Sequence, residues 1–366
     1  MKILVVSTSG FEKREGISTI IYDYFSRFDK ELFNIHFLVS GKYSEELLGN
    51  YKNAGLVDKH IASRKKELFK YIIELIRLFK REKYDAVYVH GSSAIMSLEL
   101  AIAKKCGCKI RAVHSHNTKC NHIILDKCLR PFFYSLYTDA FACGEDAGKW
   151  LFGNRRFFIV KNGRDIAKYS YNDNKRRTIR NKLGLEEDCL VIGQVGRLNY
   201  QKNPEFTINV FWELNKIKPS SKLFIIGDGY RLDELKNLVT TLNLEDSIVF
   251  TESIDNVDEY LQAMDVMILP SRHEGLPLVV VEWQIANLPS LISDCITSEC
   301  KFSDLVHYMS LDRSYGEWAR ELIQLSDYDR RNNNDFIREL TIQEGYDISE
   351  NVMNLQRKFV EAVNRN

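Results

Sequence analysis

Glu274 and Glu282 stand eight residues apart in Pro270-Ser-Arg-His-Glu-Gly-Leu-Pro-Leu-Val-Val-Val-Glu282, a segment that predicts a strand end, a short loop and the start of a helix. Pro277 fits a helix start, where its missing amide hydrogen costs nothing. Eight residues of helix rise about 12 Å, so the two carboxylates can address opposite ends of a ligand that crosses the helix N-terminus. For any single glutamate, a solvated surface position is the ordinary alternative.

The backbone between the two glutamates is suited to an anion. Free amides at a helix start and the helix dipole both favour negative charge. This chain places a helix start in the run Gly275, Leu276, Pro277 and Leu278, in which every residue except Pro277 carries an amide hydrogen. A diphosphate bound there would leave Glu282 to accept the hydroxyls of a ribose and Glu274 to accept those of a sugar. The segment therefore predicts a site for a nucleotide sugar.

A basic pair lies in a second loop, Gly196-Arg-Leu-Asn-Tyr-Gln-Lys-Asn-Pro204, which follows a predicted strand and precedes a predicted helix. Arg197 and Lys202 would stand at the carboxyl end of that strand, where a diphosphate would lie. Two cations there can stabilise the charge on a departing nucleotide as its bond to the sugar breaks. Taken alone, two basic loop residues are more often simply solvated.

The elements that must position these loops alternate between apolar, strand-like runs and helical stretches. The runs cover residues 3–6, 33–39, 86–90, 110–114, 140–143 and 157–160 in the first half, and 190–195, 222–227, 248–250, 266–270 and 289–293 in the second. This alternation predicts parallel sheets with helices on both faces. We expect an α/β protein with two doubly wound, Rossmann-like domains facing across a cleft, since such sheets bind ligands at the carboxyl ends of their strands.

The chain length agrees with two domains, because 366 residues exceed one ordinary core. The highly charged stretch Asn172–Arg180 separates the two sets of strands. We therefore expect an N-terminal, acceptor-binding domain over residues 1–170 and a C-terminal, nucleotide-sugar-binding domain over residues 171–345. A helix predicted at 348–363, within a last segment of residues 346–366, is expected to pack back toward the N-terminal domain.

Composition and charge narrow the class of protein. Hydrophobic residues make up 45% and charged residues 28% of the chain, as in ordinary globular proteins. No apolar run reaches the roughly 18 residues that a membrane-spanning helix needs. Eight cysteines without an export signal are expected to stay reduced, which indicates the cytoplasm. Nucleic acid is not an expected partner, because no zinc-finger, RRM or helix-turn-helix signature is found.

The formal net charge of +1 conceals an imbalance between the halves. Residues 1–170 carry 29 Lys and Arg against 18 Asp and Glu. This excess favours an anionic partner for the N-terminal domain, such as a lipid phosphate or the inner face of a membrane, although attraction between the domains is an alternative. The segment from Arg64 to Lys83 predicts an amphipathic, basic helix that would lie on such a membrane or simply cover a sheet.

Cysteines and histidines crowd one part of the N-terminal half. Cys106 and Cys108 precede the predicted strand at 110–114, while His114 and His116 follow it. The strand would separate the two groups by up to about 20 Å, so a shared zinc ion is not expected.

Together these motifs resemble glycosyltransferase family 4, a family of retaining GT-B enzymes, in the form of its bacterial capsule and exopolysaccharide transferases. The resemblance spans roughly residues 190–300. It rests on Glu274-x7-Glu282, on Gly-Arg-Leu with Gln-Lys-Asn-Pro, on Ile226-Gly-Asp-Gly229 and on Leu269-Pro-Ser-Arg-His-Glu-Gly-Leu-Pro277, with Ser293-Asp-Cys-Ile-Thr297 and His114-Ser-His-Asn117 also similar.

The resemblance implies a role for each motif residue. Arg197 and Lys202 would contact the diphosphate, Glu274 the donor sugar and Glu282 the ribose. Neither a metal ion nor another cofactor is expected, because the two cations and the helix N-terminus would neutralise the phosphates.

The resemblance also implies a phosphate contact and a histidine in the N-terminal domain. Gly16, at the start of a helix predicted to span 17–28, would let its backbone approach a phosphate, although Glu15-Gly16 stands where the family has a glycine pair. A histidine at a strand end would lie beside the reacting sugar. The ungapped fit favours His114, with His116 and Asn117 as alternatives, and a structural role for either histidine stays open.

The implied activity is transfer, with retention, of a hexose or N-acetylhexosamine from a nucleoside-diphosphate sugar to a saccharide or lipid-linked acceptor in cell-surface polysaccharide synthesis. UDP-sugars are favoured as donors. Two rivals remain: a GT-B sugar-nucleotide epimerase, and a non-catalytic, nucleotide-binding partner of another transferase. The identity of the sugar and the acceptor, the linkage and the oligomeric state do not follow from the sequence.

Overall fold

The computed structural model describes residues 1–8, 10–11, 16–41, 43–120 and 122–365. The chain forms two compact units. The first comprises Met1–Gly163 together with Ile348–Asn366, and the second comprises Arg164–Asp347. Each unit is built on one parallel sheet.

The first unit has a seven-stranded sheet in the order β3-β2-β1-β4-β5-β6-β7. Its strands are β1 (Lys2–Ser7), β2 (Asn34–Val39), β3 (Val57–His60), β4 (Ala86–Gly91), β5 (Ile110–Ser115), β6 (Asp139–Ala142) and β7 (Phe158–Ile159). The central strands are buried on both faces, as their continuous apolar runs predict. The sequence prediction missed β3 because Val57-Asp-Lys-His60 is a half-exposed edge strand without an apolar run.

Helices cover this sheet. They are α1 (Gly16–Phe25), α2 (Glu45–Asn53), α3 (Leu68–Glu82), α4 (Ser97–Lys105), α5 (Ile123–Phe133) and α6 (Glu145–Phe152), with a 3₁₀ turn at Ala94–Met96. One face of α3 buries Tyr71, Leu75 and Phe79 against the sheet, so this predicted amphipathic helix does cover a sheet. Its first residues, Leu68 and Phe69, remain exposed.

The second unit has a six-stranded sheet in the order β10-β9-β8-β11-β12-β13. Its strands are β8 (Leu190–Val195), β9 (Ser221–Ile226), β10 (Ile248–Glu252), β11 (Val266–Leu269), β12 (Ser290–Ser293) and β13 (Val306–Met309). In both sheets the first strand lies centrally, and the strand order reverses beside it, between β1 and β4 and between β8 and β11. Doubly wound sheets bind ligands at the carboxyl ends of the strands that flank this reversal.

The helices of the second unit are α7 (Ile166–Tyr169), α8 (Asp173–Lys182), α9 (Pro204–Ile217), α10 (Leu232–Thr241), α11 (Val257–Ala263), α12 (Leu278–Ile285), α13 (Tyr315–Leu325) and α14 (Asn334–Gln343), with a 3₁₀ turn at Ser298–Cys300. The charged stretch at 172–180 is helix α8, capped by the Asn172 side chain, which accepts from the Lys175 amide. It lies inside the second unit, which begins at Arg164.

The last helix, α15 (Ile348–Asn364), belongs to the first unit, as the sequence predicted. Its buried face carries Val352, Leu355 and Phe359. The Asp29 amide donates to Gln356 Oε1 at 2.8 Å, and Arg365 pairs with Asp139. The chain therefore returns to its first unit after completing the second.

Two further findings concern the whole described chain. In the parts that the structure describes, no helix combines the length and apolarity needed to cross a membrane. All eight cysteines are free thiols.

Candidate functional site

The loop after β8 places the predicted cations Arg197 and Lys202 at the carboxyl edge of the second sheet. Arg197 is exposed, two residues beyond the strand. Lys202 is held at its backbone, since its carbonyl accepts from Gln194 Nε2 at 3.0 Å and its amide donates to Asn199 Oδ1 at 2.9 Å. The loop therefore fixes the base of the Lys202 side chain before any ligand binds.

The loop after the neighbouring strand β11 carries Glu274 and leads into α12. Pro277 caps the helix with extended backbone angles, so the helix begins at Leu278 as the sequence predicted. Gly275 and Leu276 lie directly before this N-terminus. A Cβ atom at Gly275 would meet no atom within 4 Å, so the backbone there faces open space that a ligand can occupy.

Glu274 and Lys202 meet across the two loops. Lys202 Nζ lies 2.7 Å from Glu274 Oε1, and their side chains are only 16% and 8% exposed. Gln201 joins the same pair of loops, because its Nε2 donates to the His273 carbonyl at 3.0 Å and to Glu274 Oε2 at 3.3 Å. The structure thus brings the predicted sugar-binding carboxylate and a predicted diphosphate-binding cation into direct contact, at the reversal of the strand order.

Asn203 and Arg272 brace these loops, a role that the sequence prediction did not assign. Asn203 Nδ2 donates to the Pro270 carbonyl at 3.1 Å, and Arg272 donates to Asn203 Oδ1 at 3.1 Å. The Arg272 guanidinium also lies 4.3 Å from the centre of the Tyr200 ring. Both residues stand inside the motifs Gln-Lys-Asn-Pro and Pro-Ser-Arg-His-Glu, so their position in those motifs was the available signal.

Glu282, the predicted ribose ligand, lies in α12 and forms a buried ion pair. Its Oε1 accepts from Arg164 Nε at 2.7 Å, and the residue is 8% exposed. Arg164 is itself held in place, since its amide donates to the Tyr346 carbonyl at 2.7 Å. No pattern in the sequence links Arg164 to Glu282, which lies 118 positions further along the chain. Its neighbour Trp283 is fully buried in the core.

The Ile226-Gly-Asp-Gly229 motif packs against the Arg197 loop by backbone contact. A Cβ at Gly227 would lie 2.1 Å from the Gly196 carbonyl oxygen, and Gly227 has a φ of +136°. The Leu198 amide donates to the Asp228 carbonyl at 2.8 Å. Only glycine can occupy position 227 without displacing the loop that carries Arg197.

Three histidines of the first unit stack at the carboxyl end of its sheet. His90 in β4 pairs in register with His114 in β5, and His116 follows β5 directly. The rings of His114 and His116 lie 4.2 Å apart, with 16° between their planes. His90 Nδ1 and His116 Nε2 share a hydrogen bond of 2.8 Å, and the Tyr88 hydroxyl lies 2.7 Å from His114 Nδ1. His90 was missed, although it ends the strand predicted at 86–90.

His114 and His116 differ in their access to the strand end. His114 lies within β5 and is 3% exposed, whereas His116 lies beyond the strand and is half-buried. Three ring nitrogens of the cluster, His90 Nε2, His114 Nε2 and His116 Nδ1, have no hydrogen-bond partner among the described residues. Buried polar atoms without partners are uncommon and favour a place where a ligand group binds.

These histidines are also the described residues that come nearest to a metal site, with candidate ligand atoms all within 4.8 Å of one another. Their ring planes, however, lie within 16° to 28° of parallel. Ligands of one metal ion converge on it, so stacked rings suit hydrogen bonding to a ligand better than coordination.

The remaining predicted residues are Gly16 and Asn117. Gly16 is the first residue of α1, while residues 12–15 before it, including Glu15, lie outside the described part of the chain. Asn117 is exposed, and its Oδ1 accepts from the Thr118 amide at 2.8 Å.

His36 in β2 and the three stacked histidines should together make the protein sensitive to acid. Burial lowers the pKa of His36 to about 4 and that of His116 to about 3, and it also lowers the pKa values of His90 and His114. Below about pH 6.5 the unfolded chain therefore takes up protons that the folded chain does not.

We expect the free energy of unfolding to decrease as the pH falls from 6.5 toward 4. The expected slope is up to about 1.4 kcal/mol per pH unit for each buried histidine. Urea denaturation at several pH values measures this slope. His36→Gln should reduce the slope by the contribution of one histidine, up to about 1.4 kcal/mol per pH unit. An unchanged slope in His36→Gln would contradict the lowered pKa of His36 in the folded protein.

The comparisons of this chain with known protein families and sequences all find glycosyltransferases. Residues 175–304 match the family described as "Glycosyl transferases group 1". The chain is 29% identical over 355 residues to the putative glycosyltransferase EpsF of Bacillus subtilis, covering 93% of this chain and 91% of that protein. It is 30% identical over 244 residues to the UDP-Gal:alpha-D-GlcNAc-diphosphoundecaprenol alpha-1,3-galactosyltransferase of Escherichia coli, covering 63% of each chain.

Solved structures share the fold. Anabaena Alr3699/HepE in complex with UDP-glucose superposes with a TM-score of 0.76 at 15% identity, over 99% of this chain and 100% of that one.

Proposed function

Because this chain belongs to the group 1 glycosyltransferases and has the GT-B fold, we propose that it transfers a hexose or N-acetylhexosamine from a UDP-sugar, with retention of configuration, during exopolysaccharide synthesis. The observation that carries the proposal is the contact between Lys202 and Glu274 where the strand order of the second sheet reverses. The names of the E. coli relative and of the HepE complex support a UDP-sugar as donor.

Donor binding would exchange the Lys202–Glu274 ion pair for contacts with the substrate. The diphosphate binds Arg197 and Lys202 together with the backbone at Gly275, Leu276 and Leu278, where the α12 dipole favours negative charge. Glu274, released from Lys202, accepts hydroxyl groups of the sugar. Glu282, already oriented by Arg164, accepts the ribose hydroxyls.

The proposed reaction breaks the bond between the anomeric carbon and the β-phosphate oxygen and forms a bond from that carbon to an acceptor oxygen. The leaving phosphate takes the proton of the acceptor hydroxyl. Arg197 and Lys202 stabilise the charge that develops on the departing diphosphate. This route uses no residue as a covalent nucleophile, and it needs no metal ion because these two cations supply the positive charge.

In the first unit, His116 would contact the reacting sugar, and His114 would support it by stacking. His116 lies beyond the strand end, while His114 is enclosed in β5 and bonded to Tyr88. Gly16 at the start of α1 would add a phosphate contact. Since its pKa is lowered by burial, His116 is neutral at physiological pH and can donate or accept a hydrogen bond.

The acceptor proposed for the first unit is a saccharide or a lipid-linked saccharide. The basic excess of residues 1–170 supports contact with an anionic membrane surface. Eight free thiols are in keeping with a reducing, cytoplasmic location at the inner face of the membrane.

A panel of UDP- and GDP-sugars, incubated with the full chain in EDTA, tests the proposal. We expect saturable consumption of one UDP-sugar with release of UDP, lost in Arg197→Ala. Conversion of the donor to an isomeric UDP-sugar without release of UDP would instead identify an epimerase. Binding of UDP without turnover, with or without cell-derived lipid acceptors, would identify a non-catalytic partner.

A further inference from the structure

A second cleft, of about 1200 Å³, opens at the carboxyl end of the first sheet. Its floor is formed by residues at the end of β1 and after β1 and β2, including Val6, Thr8 and Ser40. Its walls are formed by the N-terminal parts of α3 and α4 and by one side of α5. All of its lining residues belong to the first unit. Ligands of doubly wound sheets bind at this edge, so the cleft is placed to receive a substrate that the donor loops do not hold.

One side of the cleft is basic. Arg64, Lys65 and Lys66 form a turn directly before α3. Arg64 is engaged by Glu99 and by the Ile95 carbonyl. Lys65 and Lys66 are exposed, and the adjacent Glu67 pairs with Lys70 at 3.4 Å. The two lysines and the α3 N-terminus therefore offer positive charge to an anionic group.

The opposite side of the cleft is apolar, although it is open to solvent. Helix α5 contributes Leu125, Leu129 and Phe132 to the lining, and α4 contributes Leu98 and Ala101. Leu125 is 51% exposed and Phe132 is 52% exposed. Further large apolar side chains lie exposed beside the same helix ends, namely Leu68, Phe69, Ile123 and Ile124. Large apolar side chains that are exposed in a cleft favour an interaction site there.

A buried carboxyl group lies between the two sides. Glu99 lines the cleft but is 0% exposed. Its Oε1 accepts from Arg64 Nε at 2.9 Å and from the Tyr71 hydroxyl at 2.8 Å. In the part of the chain that the structure describes, its Oε2 has no hydrogen-bond partner. An unpartnered buried oxygen is costly, and a hydroxyl group of a bound ligand would satisfy it.

We propose that this cleft binds the acceptor as a lipid-linked saccharide phosphate, with the phosphate at Lys65 and Lys66, the lipid chain along Leu125 and Phe132, and a sugar hydroxyl at Glu99. The inference rests on the proposed transferase function and names its acceptor class. A basic turn opposite an apolar wall fits an amphiphile that carries both an anionic group and an apolar chain, whereas a free neutral polysaccharide carries neither.

Farnesyl diphosphate is a suitable probe, because it joins a diphosphate to an isoprenoid chain. Its binding to the full chain is measured by calorimetry with saturating UDP present, so that the diphosphate does not enter the donor site. We expect saturable binding that is weakened about 10-fold or more in Lys65→Glu/Lys66→Glu, since charged contacts to phosphate are strong. The matched control, Lys104→Glu/Lys105→Glu at the end of α4, should bind within about twofold of wild type.

Two further measurements show whether binding of farnesyl diphosphate depends on its isoprenoid chain and whether an anionic membrane surface competes with it. Inorganic diphosphate, which lacks the chain, should bind at least about 10-fold more weakly than farnesyl diphosphate, and Leu125→Ser/Phe132→Ser should reduce that difference. Vesicles of phosphatidylglycerol should not displace the probe from the cleft.

Equal binding of farnesyl diphosphate to wild type and to Lys65→Glu/Lys66→Glu, or its displacement by the vesicles, would overturn the proposal while leaving UDP binding intact. A failure of UDP itself to bind would instead contradict the proposed function.

Discussion

Glu274→Gln should lower kcat for donor consumption by a factor of about 10² to 10³, and Lys202→Ala should do the same. In the proposed mechanism both side chains act mainly in the transition state: Glu274 accepts from the sugar hydroxyls, and Lys202 stabilises the departing diphosphate. Initial rates of UDP release measure the effect. Glu205→Gln and Lys216→Ala are matched controls, because both residues form exposed ion pairs in the same unit.

The double variant separates the two roles of this pair. In the free protein the 2.7 Å contact couples the residues, so the loss of stability in Glu274→Gln/Lys202→Ala should be smaller than the sum of the single losses. In turnover the residues serve different parts of the substrate, so their effects should be closer to additive. Turnover unchanged in either single variant would contradict the donor-site assignment.

His116→Ala should lower kcat by about 10²-fold, the effect of losing a positioned polar group at the reacting sugar. His116 lies beyond β5 with an unpartnered Nδ1, whereas His114 is enclosed in the strand. Tyr88→Phe is the companion variant, because it removes the hydrogen bond to His114 Nδ1. It should cost about 1 kcal/mol of stability and leave kcat nearly unchanged.

The opposite pattern would reassign the histidine. If His116→Ala keeps full turnover and Tyr88→Phe loses it, then His114 is the group at the sugar, and the 2.7 Å contact with Tyr88 controls its tautomer.

The loops after β8 and β11, on which the proposed donor site lies, were predictable as loops because their residues are close in sequence as well as in space. Arg197 and Lys202 occupy one loop, and Glu274 and Glu282 span one loop and helix start. The strands that position them, such as β8 and β11, are buried on both faces and therefore show as continuous apolar runs. Local sequence pattern thus predicted the fold class and the loops that carry these residues, while their role in donor binding stays a prediction.

Contacts between distant parts of the chain were not predictable in the same way. Arg164 meets Glu282 only because the second unit brings its first residues against α12. His90 joins His114 through the register of β4 and β5, which the sequence does not fix. The charged stretch at 172–180 predicted the domain boundary because it lacks strand character, yet it forms a helix of the second unit that buries Arg180.

In the proposed function, the loops after β8 and β11 hold the nucleotide sugar. Hydrogen exchange, measured by mass spectrometry on the full chain with and without the UDP-sugar that it consumes, tests this placement. We predict slower exchange in peptides that cover residues 196–203 and 274–282, including the amides of Gly275, Leu276 and Leu278. Unchanged exchange in both peptides at saturating UDP-sugar, with slower exchange elsewhere in the chain, would contradict the placement of the nucleotide sugar on these loops.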